Sequence, residues 1–469
     1  MVLLMKKLLG ILIFICLFFN NIAAADYMAE RILKFNEWLT VNGHDQYLDK
    51  SIFYYVPDKS ICSPRSTLHC FGPDGIIPVN EIPKKKIYKN NLNIKIFTKR
   101  KSEIPYEAKP NFDTLLFYVF SYLNNDGKFD KYLVQPSSNP VKFNFQLIED
   151  KFVKKQLRTR PILSYLYYEK DKIIIDEISK KDRFGIIFNN DTKWLSMSMG
   201  KSLVSYVTGH AICGGYISGV DAKLNDWPLI EDTLYYNQKL IDILNMTAGD
   251  QMHVDDHKGL LKSGRWYNSH TVFSFANNEL KNTKPGPPKY HYNGLATNII
   301  MNYVIHKTNK DFQKLLNEIF QEKARVENSV LFLKQKRADE YGPGRYSFRA
   351  SRYDYLRIAK AIMDDYQNNT CVGKYLKEIH KRRIKKNKNI SDGGFEATYS
   401  YGGQFHMDYL GLKNKIIFGM GGYGGQAILI DVDDSRIIVL NSIHWNGKYK
   451  KYRYNVKKLL LDPIKKGIE

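Results

Sequence analysis

What this sequence lacks excludes several classes of protein. None of its five cysteines has metal-ligand spacing such as Cys-x-x-Cys, so no zinc module is predicted. After the first 25 residues no stretch is long and apolar enough to span a membrane, and there is no internal repeat or low-complexity tract. The densest basic run, HKRRIKKNK at 380–388, has no interleaved aromatic residues to stack on bases. A nucleic-acid partner is therefore not expected, although the formal net charge is +23.

The first 25 residues have the layout of a secretory signal peptide. Lys6 and Lys7 precede an apolar run over 8–19, and small residues at 23–25 predict cleavage after Ala25. An uncleaved anchor is the alternative. Cleavage would leave 469 − 25 = 444 residues with a charge of 23 − 2 = +21. We therefore expect an exported protein, periplasmic or secreted, whose positive charge allows weak association with an anionic envelope surface.

The four cysteines beyond the signal segment suggest different roles. Residues 26–150 form an N-terminal extension without a recognisable motif, and Cys62 and Cys70 bracket a short loop within it. In an oxidising compartment these two could form a disulfide. Cys213 lies in an apolar helical run and is predicted to be a buried free thiol. The pattern leaves the state of Cys371 open.

Regular structure is predicted from residue 151 onward, in a domain spanning 151–465. Residues 162–179 alternate as strand, Lys-Asp turn and strand. Several helical segments follow, and glycine-jointed apolar runs after 397 predict further strands. This order predicts an α+β fold in which an antiparallel β-sheet, flanked by helices, joins the first strands to the last.

Ser198 and Lys201 are the most informative pair of residues. Because positions i and i+3 share one face of a helix, the hydroxyl and the amine can come within hydrogen-bond reach. A serine in the first turn feels the positive end of the helix dipole, and a buried lysine loses its proton more easily. Such a pair can serve as nucleophile and general base. The alternative is an ordinary surface pair, but Ser198 is the only serine with a lysine three residues later, and it opens an apolar helix.

The segment TKWLSMSMGKSLVS, followed by ILNMTAGD, resembles the penicillin-recognising serine hydrolase family. That family includes serine β-lactamases, D-alanyl-D-alanine peptidases, esterases and 6-aminohexanoate-oligomer hydrolases. The resemblance implies a serine β-lactamase-like fold with an all-helical subdomain. It also implies that Ser198 is acylated, that Lys201 is its base, and that no cofactor is needed.

A second stretch, PGPPKYHYNGLATNII, matches the position of the family's Tyr-x-Asn motif. The resemblance implies that Tyr292 relays the proton between Ser198 and the leaving group, and that Asn293 and Gly294 line the substrate pocket. Gly294 replaces the expected asparagine, so one side-chain amide is missing. Tyr290 is the rival candidate for the tyrosine.

A third stretch, FGMGGYGGQAILI, is similar to the pocket-lining strand of the esterase relatives. Met420, Gly421 and Gly422 would lie beside the substrate, where glycines allow close approach to the backbone. A bent edge strand would explain the same glycines. The resemblance further implies an oxyanion hole formed by the backbone N–H groups of Ser198 and Tyr423.

Met420 stands where β-lactamases and peptidases carry a cation that holds the substrate carboxylate. The resemblance therefore implies a serine hydrolase that cleaves a small-molecule ester or amide, as a carboxylesterase or amide hydrolase does, in preference to a β-lactam. Because Gly294 and Met420 both depart from the family pattern, the alternative is a catalytically weak or inactive binding or sensor module.

A second cluster of residues has side chains of the types that bind zinc. His253 and His257 are four residues apart with Asp255 and Asp256 between them, but the sequence shows no third ligand at a known spacing. We interpret the cluster as a solvated polar loop and predict no metal. His291, next to the candidate tyrosine, is either a pocket-lining residue or an ordinary loop histidine.

Overall fold

The computed structural model describes residues 129–160, 162–180, 188–254, 272–277, 279–335, 344–386, 398–422, 424–442 and 454–468, with three short strands between 61 and 78. The chain divides into two compact units, one comprising Met1–Gly127 with Ser179–Asn189 and the other Lys128–Ile178 with Asn190–Glu469. The predicted signal peptide, 1–25, lies outside the described residues. Among the described helices, none has both the length and the apolar character needed to cross a membrane.

Three strands of the first unit form an antiparallel sheet, with β1 at Ile61–Cys62, β2 at His69–Gly72 and β3 at Gly75–Pro78. In its register Cys62 lies directly opposite Cys70. The backbone therefore brings the two cysteines together, and their pairing in a disulfide stays a prediction.

The second unit contains thirteen further strands within the described residues. They are β4 (Phe129–Val134), β5 (Asn144–Phe145), β6 (Ile162–Glu169), β7 (Lys172–Ile178), β8 (Trp194–Leu195), β9 (Val330–Gln335), β10 (Gly344–Ala350), β11 (Ile384–Lys385), β12 (Thr398–Gly402), β13 (Phe405–Tyr409), β14 (Ile417–Gly422), β15 (Gln426–Asp431) and β16 (Arg436–Ser442).

This unit has ten described α-helices, eight of which lie between β8 and β9 or between β10 and β11. They are α1 (Lys151–Thr159), α2 (Met199–Cys213), α3 (Leu240–Leu244), α4 (Gln251–Val254), α5 (Val272–Asn277), α6 (Leu295–Thr308), α7 (Phe312–Asn317), α8 (Arg352–Gln367), α9 (Cys371–Lys381) and α10 (Asp462–Lys466). Side chains cap several of them. The Asp150 carboxylate accepts the Phe152 N–H at the start of α1, and the Thr370 hydroxyl accepts the Gly373 N–H at the start of α9.

The main sheet has nine strands in the order β11-β12-β13-β14-β15-β16-β6-β7-β5, antiparallel except for the β5–β7 pair. β16 pairs with β6, from Arg436 opposite Glu169 onward, which confirms that the first and last strands of the domain close together. The predicted Lys-Asp turn is also confirmed: Lys170 and Asp171, at φ 44 and 63, join β6 to β7. A second sheet has the order β4-β9-β10-β8.

The domain begins before residue 151, where the sequence pattern placed its start. β4 pairs with β9 from Phe129 opposite Gln335, and β5 runs parallel to β7. Residues 129–150 are therefore part of the second unit, which starts at Lys128. Their short, proline-punctuated segments carry no periodicity of their own, because each is completed by a strand elsewhere in the chain.

Helices cover both faces of the main sheet. On one face, α1 and the C-terminal residues bury a cluster that includes Val153, Leu157, Leu460 and Ile464 against Tyr167. On the other, α8 packs against β15 and β16, and α2 packs against β14. Burying each of these large apolar side chains contributes roughly 1.5–3 kcal/mol. This packing holds the start of α2 beside the end of β14.

The prediction for Cys213 is wrong, because Cys213 forms a disulfide with Cys371. Cys213 is the last residue of α2 and Cys371 is the first residue of α9, and their Cα atoms are 5.8 Å apart. The two helix ends meet although 158 residues separate them in sequence. Nothing in the local apolar pattern around Cys213 reveals a partner that distant.

We expect the double variant Cys213→Ser/Cys371→Ser to be less stable than the wild type by about 2–4 kcal/mol, because the crosslink closes a long loop in the unfolded chain. Urea unfolding at equilibrium measures the free energy of unfolding. When Cys62 and Cys70 are replaced by Ser in both proteins, the protein that keeps Cys213 and Cys371 should match the double variant under a thiol reductant, and the double variant itself should not respond to the reductant. Equal stability of the oxidised wild type and the variant would contradict the prediction.

Candidate active site

Ser198 lies at the start of α2, as the sequence predicts. It is the residue before the first helical position, it is half-buried, and its hydroxyl makes no capping hydrogen bond to the helix. The residue before it, Met197, has φ +50, a conformation that is costly for a side chain other than glycine and is held by the surrounding structure. The 15-residue helix directs its positive end at Ser198.

Two glycines allow the Ser198 turn to fit between two strands. A Cβ on Gly200 would lie 1.7 Å from the carbonyl oxygen of Tyr346 on β10, and a Cβ on Gly422 would lie 2.6 Å from the carbonyl oxygen of Ser196. Both distances are far below a normal contact. Gly422, predicted to make room for substrate, thus makes room for the protein's own backbone beside the nucleophile.

Lys201 is buried at 2% exposure. Its amine donates to the main-chain carbonyl oxygen of Asn293 at 2.8 Å and to the hydroxyl of Thr297 at 3.4 Å. It also lies 5.0 Å from the ring centroid of Tyr292 and 4.0 Å from that of Tyr346. The structure therefore brings together Lys201 and Tyr292, which are 91 residues apart by subtraction (292 − 201).

The geometry favours Tyr292 over Tyr290 as the tyrosine of the site. Tyr290 is buried with its ring 5.4 Å from that of Tyr401, whereas the Tyr292 ring lies next to the Lys201 amine. Tyr292 is also positioned by its two neighbours in the chain. His291 and Asn293 both contact the carboxylate of Asp250, at 3.2 and 2.9 Å.

Asp250 is the buried carboxylate that holds the loop carrying Tyr292. It is 1% exposed and accepts a third hydrogen bond from the Tyr235 hydroxyl at 2.7 Å. One ring nitrogen of His291 is therefore hydrogen-bonded to Asp250. The sequence left His291 open as a pocket-lining residue or an ordinary loop residue. Sequence reasoning missed this carboxylate, because Asp250 follows a glycine in a segment that reads as an ordinary helix stop.

Asn293 and Gly294 contribute differently from the expectation that both line the substrate pocket. The Asn293 amide donates to Asp250, and its side-chain oxygen accepts the Ala296 N–H at 2.8 Å, so it caps α6. Its main-chain carbonyl is the group that meets Lys201. Gly294 is the residue before the first position of α6 and brings no side chain to the site.

The third predicted motif lies on β14. Met420 is fully buried and, by the alternation of a strand, shares a face with Gly422, which lies against the Ser196 backbone. Gly421 is buried between them, opposite Ala427 of β15. Tyr423, the second expected oxyanion donor, lies outside the described residues, so this role stays a prediction.

His406 and Tyr346 are neighbours of the site that sequence reasoning missed. The His406 ring lies 6.2 Å from the Tyr292 ring and 5.2 Å from the Tyr401 ring. Burial holds the pKa of His406 well below its ordinary value, and the nearby Lys386 ammonium lowers it further. His406 is therefore neutral at neutral pH. No motif marks either residue, because each reaches the site from a strand far along the chain.

The predicted absence of a metal site rests on the sequence. His253 lies on α4, and His257 lies outside the described residues. Within the part of the chain that the structure describes, no three His, Cys, Asp or Glu side chains are arranged to hold a metal ion.

The structure is similar to solved structures of hydrolases at low sequence identity. A candidate 6-aminohexanoate-dimer hydrolase from Bacillus anthracis superposes with a TM-score of 0.50 and 13% identity, over 75% of this chain and 95% of that one. EstCE1, described as a hydrolase with promiscuous acyltransferase activity, gives 0.46 and 12%, over 65% and 94%. A penicillin-binding protein from Bacillus halodurans gives 0.44 and 14%, over 65% and 98%.

Neither a protein-family model nor a curated protein matches this sequence. The likeness to the Bacillus anthracis protein therefore concerns the fold alone. It confirms the predicted class, an α+β fold whose antiparallel sheet is flanked by helices in the serine β-lactamase-like arrangement.

We expect acid to destabilise this protein through its buried histidines. Burial lowers the pKa of His210 to about 4, and that of His406 is also lowered. Below about pH 6.5 the unfolded chain takes up protons that the folded chain cannot, so the free energy of unfolding falls as the pH falls. His406→Gln should lose less stability than the wild type between about pH 7 and about pH 5, as measured by urea unfolding.

The matched control is His306→Gln, which removes a partly exposed histidine from α6. The stability that this variant loses over the same pH range measures the effect of removing a histidine at a partly exposed position. The same loss in His406→Gln as in the wild type would show that His406 takes up a proton in the folded state.

Proposed function

We propose that this protein is a serine hydrolase that forms an acyl-enzyme through Ser198. The observation that carries the proposal is the burial of the Lys201 amine one helical turn from Ser198, between two neutral oxygen acceptors and beside the Tyr292 ring. A buried amine favours its neutral form, which can accept a proton. A lysine kept only for solubility or packing would direct its amine to water.

The proposed reaction has two halves. Ser198 Oγ attacks the substrate carbonyl carbon and passes its proton to Lys201 Nζ, while the carbonyl electron pair moves to oxygen. The tetrahedral intermediate then expels the alcohol or amine, which receives the proton through Tyr292. Water attacks the acyl-enzyme in the same way, so the acid is released and Ser198 regains its proton.

The proposed substrate class is an ester or amide without a carboxylate anchor. Met420 is buried and apolar, so it cannot bind the carboxylate of a β-lactam or of a cell-wall peptide. A panel of aryl esters, linear amides and β-lactams should therefore give turnover in the first two classes.

We also propose that the protein works in an oxidising compartment outside the cytoplasm. The predicted signal peptide supports this location, and so does the Cys213–Cys371 disulfide, because structural disulfides are rare in reducing compartments.

We expect a fluorophosphonate probe to add one covalent adduct per molecule of wild-type protein. Ser198→Ala should give no adduct, because the proposed nucleophile is absent. Ser218→Ala, which removes an exposed serine, is the control and should react like the wild type. Intact mass spectrometry measures the adduct. An unreactive wild type would support the alternative of a binding module, and equal reaction in Ser198→Ala would reject Ser198 as nucleophile.

We expect Tyr292→Phe to slow turnover of an aryl ester by roughly 100-fold or more, because proton transfer by a positioned side chain contributes about that much. The matched control is Tyr290→Phe, which removes a tyrosine hydroxyl two residues away. Its turnover should stay within about 3-fold of the wild type. Steady-state kinetics measure both constants. We expect kcat to fall and KM to equal that of the wild type. If the two variants showed the reverse order, the assignment of the tyrosine would pass to Tyr290.

A further inference from the structure

Gln404 occupies an unusual place for a buried polar residue. It lies at the tip of the β12–β13 hairpin, where Gly403 and Gln404 have φ 54 and 69, the mirror-image turn that closes two-residue hairpins. Glycine or asparagine is the usual choice at such angles, and glutamine is strained there. Gln404 is nevertheless only 1% exposed. Local backbone preference therefore does not explain this residue.

The hairpin tip is tied to α2 and to the end of α3. The Gly403 N–H donates to the side-chain oxygen of Asn245 at 2.8 Å, and the Gln404 N–H donates to the Leu244 carbonyl at 3.1 Å. The Ser202 hydroxyl, on α2, donates to the Gln404 carbonyl at 2.7 Å. The carbonyls at the end of α3 lack helical partners, so the hairpin satisfies one of them. These bonds hold the Gln404 side chain close to the helix that carries Lys201.

The Gln404 side chain sets the direction of a chain of hydrogen bonds. Its amide nitrogen donates to the Leu244 carbonyl at 2.9 Å, and since a carbonyl can only accept, the amide oxygen must point the other way. That oxygen accepts the hydroxyl proton of Thr297 at 2.7 Å. A threonine hydroxyl has one proton, so the Thr297 oxygen can only accept from Lys201.

The direction of this chain determines how the Lys201 amine is oriented. A neutral amine has two N–H bonds and one lone pair. One N–H meets the Thr297 oxygen and the other meets the Asn293 carbonyl oxygen. In the neutral form that the proposed function requires, both N–H bonds are then directed at oxygens, and the lone pair cannot be consumed by a proton from Thr297.

We infer that Gln404 is a positioning residue that, through Thr297, orients the lone pair of Lys201 for proton transfer from Ser198. The inference rests on the proposed function, and neither Gln404 nor Thr297 touches substrate in it. Without the Gln404 amide oxygen, the Thr297 hydroxyl is able to turn and donate its proton to the Lys201 lone pair. The base would then be occupied by an internal hydrogen bond.

The first test is Gln404→Met, which keeps the length of the side chain and removes both amide groups. Single-turnover kinetics with an aryl ester give the acylation rate constant, and fluorophosphonate titration gives the fraction of active sites. We expect the plateau of the rate constant against pH to fall by roughly 10-fold or more, with the active fraction unchanged. A purely structural role for Gln404 would lower the active fraction and the melting temperature and leave the rate constant per active site unchanged.

Thr297 variants test the same chain without altering the hairpin. Thr297→Val should reduce the rate constant about as much as Gln404→Met, whereas Thr297→Ser, which keeps the hydroxyl, should stay near the wild type. The double variant Gln404→Met/Thr297→Val should be no slower than either single variant, because both changes break one chain. The inference would be overturned if the decreases of the rate constant multiplied in the double variant, or if Thr297→Val left the rate constant unchanged.

The Ser198→Ala adduct experiment separates this inference from the proposed function. If Ser198→Ala reacts like the wild type, the proposed function is rejected, and the inference is rejected with it because Lys201 has no nucleophile to serve. If Ser198→Ala is unreactive while Gln404→Met and Thr297→Val acylate at the wild-type rate, only the inference fails.

Discussion

The structure of the site depends on the burial of one amine. Removing the lysine ammonium from water costs several kcal/mol, so a buried lysine either loses its proton or is surrounded by oxygens and rings that stabilise it. Lys201 has the Asn293 carbonyl, the Thr297 hydroxyl and two tyrosine rings around it. These groups come from α6, from the loop before it and from β10. The relative positions of those elements are thereby linked to the protonation of a single side chain.

Close backbone contacts make this arrangement rigid. The turn that carries Ser198 lies between β10 and β14 with no room for a Cβ at Gly200 or Gly422. Asp250 holds the Tyr292 loop, and the Cys213–Cys371 disulfide holds the far end of α2. A site built on a helix that is fixed at both ends keeps its reacting atoms in place, which is what nucleophilic catalysis requires.

Much of the fold was predictable because its elements are locally consistent. The β6–β7 hairpin, the helix after Ser198, the helix after Gly294 and the glycine-jointed strands from β12 to β16 all follow the pattern that the sequence carries. Residues 129–150 and the Cys213–Cys371 pair were not predictable in the same way. The strand β4 and the disulfide each depend on a partner more than 150 residues away, which leaves no trace in local periodicity.

The sequence by itself determined the pair Ser198 and Lys201, since three residues of helix suffice to set two side chains on one face. It also pointed to Tyr292, through the proline-glycine turn before it. Only the tertiary structure decided what surrounds them. Asp250, Thr297, Tyr346, Gln404 and His406 come together from separate helices, loops and strands, and the assignment of Gly422 to backbone packing and of Asn293 to a helix cap follows from the same convergence. Such contacts are properties of packed elements, and no single stretch of chain contains them.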